Sequence, residues 1–290
     1  MTTLSTTSDP LLRIQCGGRR TRGNCGKPVV SVITVVFNGA HTIEATILSV
    51  LEETDLEIEY IVVDGGSTDG TVDILRQYDD RITYWISEPD AGIYDAMNKG
   101  IRLATADVIG IINADDAYAP RAIDLIWNLM QSNHSVDYCY GWISLHERNG
   151  RLISIVRPVP QSHFSRRVLR ETPIPHPTVF ARRTVYDRLG LFDSTLQLAG
   201  DFELIARWHR ASLVGHEIPQ VMVYFTAGGA STNPLILSER RTVALRYGVN
   251  PMLAWIDWAI GTTAMQMRRV FPARVVGWLR RFRCYIVFRK

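Results

Sequence analysis

The sequence predicts a doubly wound α/β fold built on a mostly parallel sheet. Three observations carry that expectation. Apolar runs of strand length alternate with segments of helical periodicity as far as Met130. The strand runs are nearly continuous rather than alternating, the pattern of strands buried on both faces. Three of them end in polar clusters, and ligands of such sheets bind beyond the carboxyl ends of the strands.

Residues 1–27 are rich in Thr, Gly and Arg without periodicity, so a flexible basic leader is expected there, with order beginning at Pro28. Val29 to Val36 is the first buried strand. Ile43, Ile47, Val50 and Leu51 then share one helix face. Ile58 to Val63 is a second strand, and Val72, Ile74 and Leu75 mark a short helix. Ile82 to Ile86 follows as a strand, and Ile93, Met97, Gly100, Ile101 and Ala104 as a helix face. Val108 to Ile112 is another strand, and Pro120 opens a helix carrying Ile123, Ile126, Trp127 and Met130. The pattern then becomes mixed and partly antiparallel. Val136 to Ile143 and Arg151 to Val156 read as strands joined by a turn at Asn149-Gly150, and Val221 to Phe225 is a further short strand. A domain over 28–235 is expected, divided into 28–118 and 119–235, with a helical basic tail over 236–290.

The 290 residues, 46% hydrophobic and 21% charged, suit one large domain with a small appendage and exclude global disorder. The formal net charge of +3 is unevenly distributed. Arg13, Arg19, Arg20, Arg22 and Lys27 stand against Asp9 in the leader, and residues 268–290 hold seven Arg and one Lys with no acid. The body between them is therefore acidic. It suits a divalent cation better than nucleic acid, which needs clustered cations. Cys16, Cys25, Cys139 and Cys284 have no zinc spacing and are expected as reduced thiols in a cytoplasmic protein. There is no secretory signal pattern. The longest apolar stretch, Pro251 to Met267, is broken by Asp257, so no spanning helix is expected.

The first strand ends in Val36-Phe37-Asn38-Gly39 and the second in Asp64-Gly65-Gly66-Ser67-Thr68-Asp69-Gly70-Thr71. A Gly-rich turn entering a helix suits an anion or nucleotide, and equally an ordinary capped turn. It is not the GxGxxG of a dinucleotide fold. Another strand ends in Asn113-Ala114-Asp115-Asp116. Adjacent carboxylates there either recruit a cation or form a solvated acidic loop.

Together, Ser31 to Asn38, Val62 to Thr71 and Asn113 to Asp116 resemble, in order and spacing, the signature of glycosyltransferase family two, which has the GT-A fold. Ser87 to Gly100 is similar to the block of a bacterial exopolysaccharide and glycolipid subgroup. The resemblance spans residues 28–235. It implies an inverting glycosyltransferase using a nucleotide-sugar donor, a saccharide or lipid-linked acceptor and Mg²⁺ or Mn²⁺. It implies Asp64 at the nucleobase edge, Thr34 and Phe37 in the base-pocket wall, Asp115 near the ribose and Asp116 as metal ligand. Many relatives carry Arg where this chain has Met97, so diphosphate neutralisation would pass to Lys99 and the metal. Asp201 matches the family's catalytic base, although Gly200 replaces the usual Glu. Glu203 is the second choice. His176 corresponds to a position the subgroup keeps polar, or is structural. Gly228-Gly229-Ala230-Ser231 resembles a late Gly-rich loop, a lid or a plain turn. Alternatives on the same framework are a polyprenyl-phosphate glycosyltransferase and a nucleotide-sugar-binding protein without turnover.

From Pro272, Val275, Leu279, Phe282 and Ile286 fall on one helical face, with Arg274, Arg280, Arg281 and Arg283 mostly opposite. This composition suits an interfacial helix on anionic lipid, and also a helix packed on its own domain. With a lipid-carried acceptor, the first option places the protein peripherally on the inner face of the cell membrane.

Overall fold

The computed structural model describes residues 14–23, 28–160, 163–164, 167–170, 173–228 and 233–267. These form two compact units. The first contains the described residues up to Pro158, Ile174–Ser194 and Ser212–Ala227, and the second Val159–Pro173, Thr195–Ala211 and the described residues from Gly228. The units therefore do not part at residue 118/119, because the strands after that point continue one sheet.

That sheet has ten strands: β1 (Gln15–Gly17), β2 (Val30–Val36), β3 (Ile58–Asp64), β4 (Tyr84–Ser87), β5 (Val108–Asn113), β6 (Ala117–Tyr118), β7 (Tyr138–His146), β8 (Leu152–Val156), β9 (Phe180–Arg182) and β10 (Gly215–Thr226). Its spine is the parallel set β4-β3-β2-β5. Every residue of β2 and β3 is buried, as the unbroken β-branched runs require of strands covered on both sides. The chain runs outward from β2 to β4 and then returns to lay β5 beside β2. This reversal opens a crevice at the carboxyl ends of β2 and β5. Beyond β5 the sheet becomes mixed: β9 is antiparallel to β5 and β7, β10 parallel to β7, and β6 antiparallel to β10.

Helix α1 (Ile43–Leu51) buries Ile43, Thr46, Ile47 and Val50. After α2 (Thr71–Gln77), helix α3 (Ile93–Leu103) approaches β2 so closely that a Cβ on Gly100 would lie 2.4 Å from Ile33 Cγ2. Helix α4 (Ala122–Ser132) begins two residues after the expected Pro120, behind Arg121 at φ 60°. The short α5 (Arg183–Leu189) continues directly from β9.

The leader is not wholly unstructured, which corrects the expectation for residues 14–23. β1 adds an antiparallel edge to β4, and Gly18 N–H donates to Asp79 Oδ1 at 2.6 Å. The Arg20 guanidinium pairs with the buried Glu59 carboxylate and donates to Leu103 O at 3.0 Å. A buried carboxylate requires a cation, and the Arg-rich stretch supplies it.

In the second unit, α6 (Gly200–Arg210) and α7 (Leu235–Arg246) share a core of Leu196, Ala199, Phe202 and Val243. In α8 (Pro251–Met267), Asp257 accepts from Arg170 Nε at 2.6 Å. Among the described residues no helix is long and apolar enough to cross a membrane. The basic face expected from Pro272 onward lies outside the described residues.

Candidate active site

The crevice of the first unit is built by four strand ends. Asp64 closes β3 and is fully buried. Its Oδ2 accepts from Gly66 N at 3.2 Å, Ser67 N at 2.9 Å and Ser87 Oγ at 2.6 Å, and its Oδ1 from Ser67 Oγ. These bonds fix the carboxylate before any ligand arrives. The loops after β2 and β3 are tied together: Asn38 N donates to Ser67 Oγ at 2.7 Å, Thr68 N to Asn38 Oδ1 at 2.9 Å and Ala40 N to Asp69 Oδ2 at 3.0 Å. Asn38, at φ 51°, is in the left-handed region that Asn tolerates better than most residues.

Phe37 stands 66% exposed at this mouth, an aromatic face open to solvent. Beside it, a Cβ on Gly65 would fall 2.5 Å from Asp90 Oδ2 and 3.4 Å from Phe37 Cδ2, so a side chain there would displace the Asp90 carboxylate. Asp90, for which the sequence suggested no role, stands beside Gly65 at this mouth. Burial raises its carboxyl above the usual range, the Gly92 N–H and Lys99 oppose this, and Asp95 and Asp64 add to it. An acid just past a strand end was the available signal.

Two expected donor-site residues are employed elsewhere. Thr34 is fully buried in mid-strand with its Oγ1 3.0 Å from the Tyr60 hydroxyl, so it pairs inside the sheet rather than lining the crevice. Lys99 Nζ lies 2.9 Å from Glu88 Oε1 and 3.6 Å from Asp95 Oδ2, and donates to Pro89 O at 3.0 Å. It braces the loop between β4 and α3, and diphosphate would have to compete with two carboxylates for it. Met97 is buried.

Beyond β5 the two acids differ. Asp115 faces solvent, and the protein around it raises its carboxyl somewhat, with Arg148 opposing. Asp116 is 2% exposed. Burial, then the charge of Asp115, pushes its carboxyl to about 8, against the opposing effects of Thr226 N–H and Asn113. Thr226 N donates to Asp116 Oδ1 at 3.2 Å, while Asp116 Oδ2 and Asn113 Oδ1 are buried without a hydrogen-bond partner. Oxygen acceptors left unsatisfied in an acidic pocket fit a hard divalent cation. No group of three His, Cys, Asp or Glu among the described residues could hold a metal. A cation here would therefore share its coordination with a ligand.

His176 opens a short 3₁₀ turn (His176–Thr178) and is buried, its ring edge-on to Phe192 at 5.4 Å. Phe192 also stacks on Tyr94 at 5.4 Å, and its backbone is gripped by Asn98 at 2.9 and 3.0 Å. His176 thus belongs to an aromatic layer. Gly228 follows β10 at φ +109°, whereas Gly229 to Ser231 lie outside the described residues.

In the second unit, Asp201 sits half-buried in the first turn of α6. Glu203, two residues on, is 4% exposed and fully engaged: Arg207 donates to it at 3.2 and 2.6 Å and the Tyr247 hydroxyl at 2.6 Å. That structural employment makes Glu203 the poorer candidate base.

The fold, with acids gathered at its strand ends, defines an α/β class, and the comparisons identify the chain as a glycosyltransferase. The family model for glycosyl transferase family 2 matches residues 31–190, more than half the chain, and the chain belongs to that family. A glycosyltransferase of Mycobacterium tuberculosis strain H37Rv is 31% identical over 185 residues, covering 62% of this chain and 68% of that protein. The PGL/p-HBAD biosynthesis glycosyltransferase of Mycobacterium bovis is 25% identical over 264 residues, covering 88% and 98%. Among solved structures, the mannosyltransferase PcManGT from Pyrobaculum calidifontis in complex with GDP-Man and Mn²⁺ aligns with TM-score 0.59 at 20% identity, covering 91% of this chain and 82% of that one. S. aureus TarS in complex with UDP-GlcNAc aligns with TM-score 0.57 at 18% identity, covering 78% and 69%. These two likenesses bear on the fold.

Proposed function

We propose that the chain moves a sugar, with inversion, from a nucleoside-diphosphate sugar to a saccharide or lipid-linked hydroxyl in cell-envelope polysaccharide or glycolipid synthesis. The observation that carries the donor assignment is Asp116, a buried acid with one oxygen unmet by the protein, beside Asp115 and at the sheet end that also carries Asp64 and Asp90. A dianionic diphosphate is repelled there unless a cation accompanies it. Asp116, Asp115 and Asn113 would hold Mg²⁺ or Mn²⁺, which supplies stabilisation of the charge developing on the leaving diphosphate. Phe37 offers its exposed face to the base, and Asp64, buried beneath the loop, would meet the base edge on giving up its bond to the Ser67 or Ser87 hydroxyl. The glycolipid-synthesis relative and the nucleotide-sugar complexes of the structural neighbours support the substrate classes.

In the transfer, the acceptor oxygen forms a bond to the anomeric carbon as the bond to diphosphate breaks, and its proton passes to a carboxylate. Asp201 is assigned that proton. It stands in the first turn of α6, where Phe202 N donates to its Oδ1 at 2.7 Å. Asp201→Asn keeps the shape and cannot accept a proton. Its kcat should fall on the order of 10²–10⁴-fold with donor affinity unchanged. NMR of the product should show the anomeric configuration inverted. A retained configuration would refute the inverting reaction. Undiminished turnover in the Asn variant would point to a phosphate acceptor, which needs no base.

A further inference from the structure

Helix α7 grips the chain on both sides of Asp201. The Glu239 carboxylate accepts three consecutive backbone N–H groups: Gln197 at 2.8 Å on Oε1, and Leu198 at 2.8 Å and Ala199 at 2.9 Å on Oε2. The next residue along, Arg240, lies over the Phe202 ring at 5.1 Å, and Tyr247, just past the end of α7, donates its hydroxyl to Glu203 at 2.6 Å. Residues 197–199 and 202–203 are thereby held from one helix, and Asp201 lies in the short segment between.

The start of α6 has no cap of its own. Ala199 occupies the capping position and has no side chain to offer the leading N–H groups. A Ser or Asp at that position would reach the first N–H groups inside the helix, one of which, Phe202 N, donates instead to Asp201 Oδ1 at 2.7 Å. Here a carboxylate from another helix, 40 residues away in sequence, meets the N–H groups leading into the helix. Charge-assisted bonds to three successive amides fix both the position and the direction of the loop entering Gly200.

We propose that Glu239 is a positioning residue for catalysis, setting the place from which Asp201 accepts the acceptor proton. The proposal rests on the reading of Asp201 as the base. Proton transfer demands hydrogen-bond reach of the reacting hydroxyl, and a displacement of about 1 Å can cost roughly 10²-fold in rate. Replacing Glu239 by Gln removes the charge and turns an NH₂ toward amides that need an acceptor. Replacing it by Asp keeps the charge and shortens the reach by one methylene.

The test is a double-mutant cycle on the full chain. Glu239→Gln and Glu239→Asp are each made alone and with Asp201→Asn. Nucleoside diphosphate release is followed from UDP-glucose, UDP-GlcNAc and GDP-mannose with Mn²⁺, water standing in as the acceptor hydroxyl. Either Glu239 variant should lower kcat by roughly 10–10²-fold and leave the donor KM unchanged. In the Asp201→Asn background the same change should cost less than about twofold, because its effect passes through a carboxylate no longer present. Equal losses in both backgrounds would overturn the proposal, as would a raised donor KM with kcat intact. Failure of both variants to fold, by circular dichroism, would assign Glu239 to stability and overturn it too. Full kcat in Asp201→Asn alone, or no turnover of any donor by the unaltered chain, would instead remove the base reading, whatever Glu239 does.

Discussion

At Asp116, burial and the charge of Asp115 act in the same direction, and the carboxyl is lifted to about 8. An unfolded Asp ionises near 3.9. Between those values the folded chain binds a proton that the unfolded chain has lost, so stability falls as pH rises, by at most about 1.4 kcal/mol per pH unit from this group. In metal-free protein, Asp116→Asn should therefore gain stability relative to the parent as pH goes from about 4 to about 8. Chemical denaturation of both proteins across that window checks it, and parallel stability curves would contradict the buried-acid assignment. Such residues show where sequence reading stops. The positions of Asp64, at the end of β3, and of Asp116, just past β5, were legible because each follows a largely apolar strand run. The employment of Thr34 by Tyr60, of Lys99 by Glu88 and of Glu203 by Tyr247 was not legible, because each depends on a partner the spacing does not announce.

Among the elements, the parallel strands were readable and the irregular ones were not. β2, β3 and β5 are apolar throughout because both faces are covered, so their pattern is unambiguous. β10 is longer than the Val221 to Phe225 core that marks it, since Pro219 falls within a register shift between Glu217 and Val221 where a strand tolerates it. β1 carries no apolar run and is held by Asp79 and Glu59 instead. On the proposed reading, the loop after β3 forms one wall of the donor site. Gly65→Ala would push the Asp90 carboxylate aside and narrow the corner beside Phe37. If the nucleotide occupies that corner, affinity for UDP or GDP should drop roughly 10–10²-fold. Calorimetric titration of the variant reads this directly. Unchanged affinity would place the nucleotide away from the Phe37–Gly65–Asp90 corner.

For the molecule as a whole, the charge distribution separates an acidic catalytic body from basic ends. On the proposed reading the body takes a cation to receive a diphosphate, and residues 268–290 carry seven Arg and one Lys besides. Each cation near an anionic membrane contributes about 1 kcal/mol. We propose peripheral attachment through this tail, so the intact chain should sediment with phosphatidylglycerol vesicles at low salt and be released by high salt. Truncation before Pro272 should abolish binding and spare donor hydrolysis, whereas undiminished binding would assign attachment elsewhere. The central claim is that the crevice at the ends of β2, β3 and β5 takes a nucleotide sugar together with a divalent cation held by Asp116. It is tested most directly by thermal denaturation with a panel of UDP- and GDP-sugars, with Mn²⁺ and with EDTA, in the parent and in Asp116→Ala. A ligand at a hundred times its Kd stabilises by about 2.7 kcal/mol. One donor should raise the Tm of the parent in Mn²⁺ and not in EDTA, and should leave Asp116→Ala unmoved in both. Equal stabilisation of parent and Asp116→Ala by the donor in Mn²⁺ would contradict the claim.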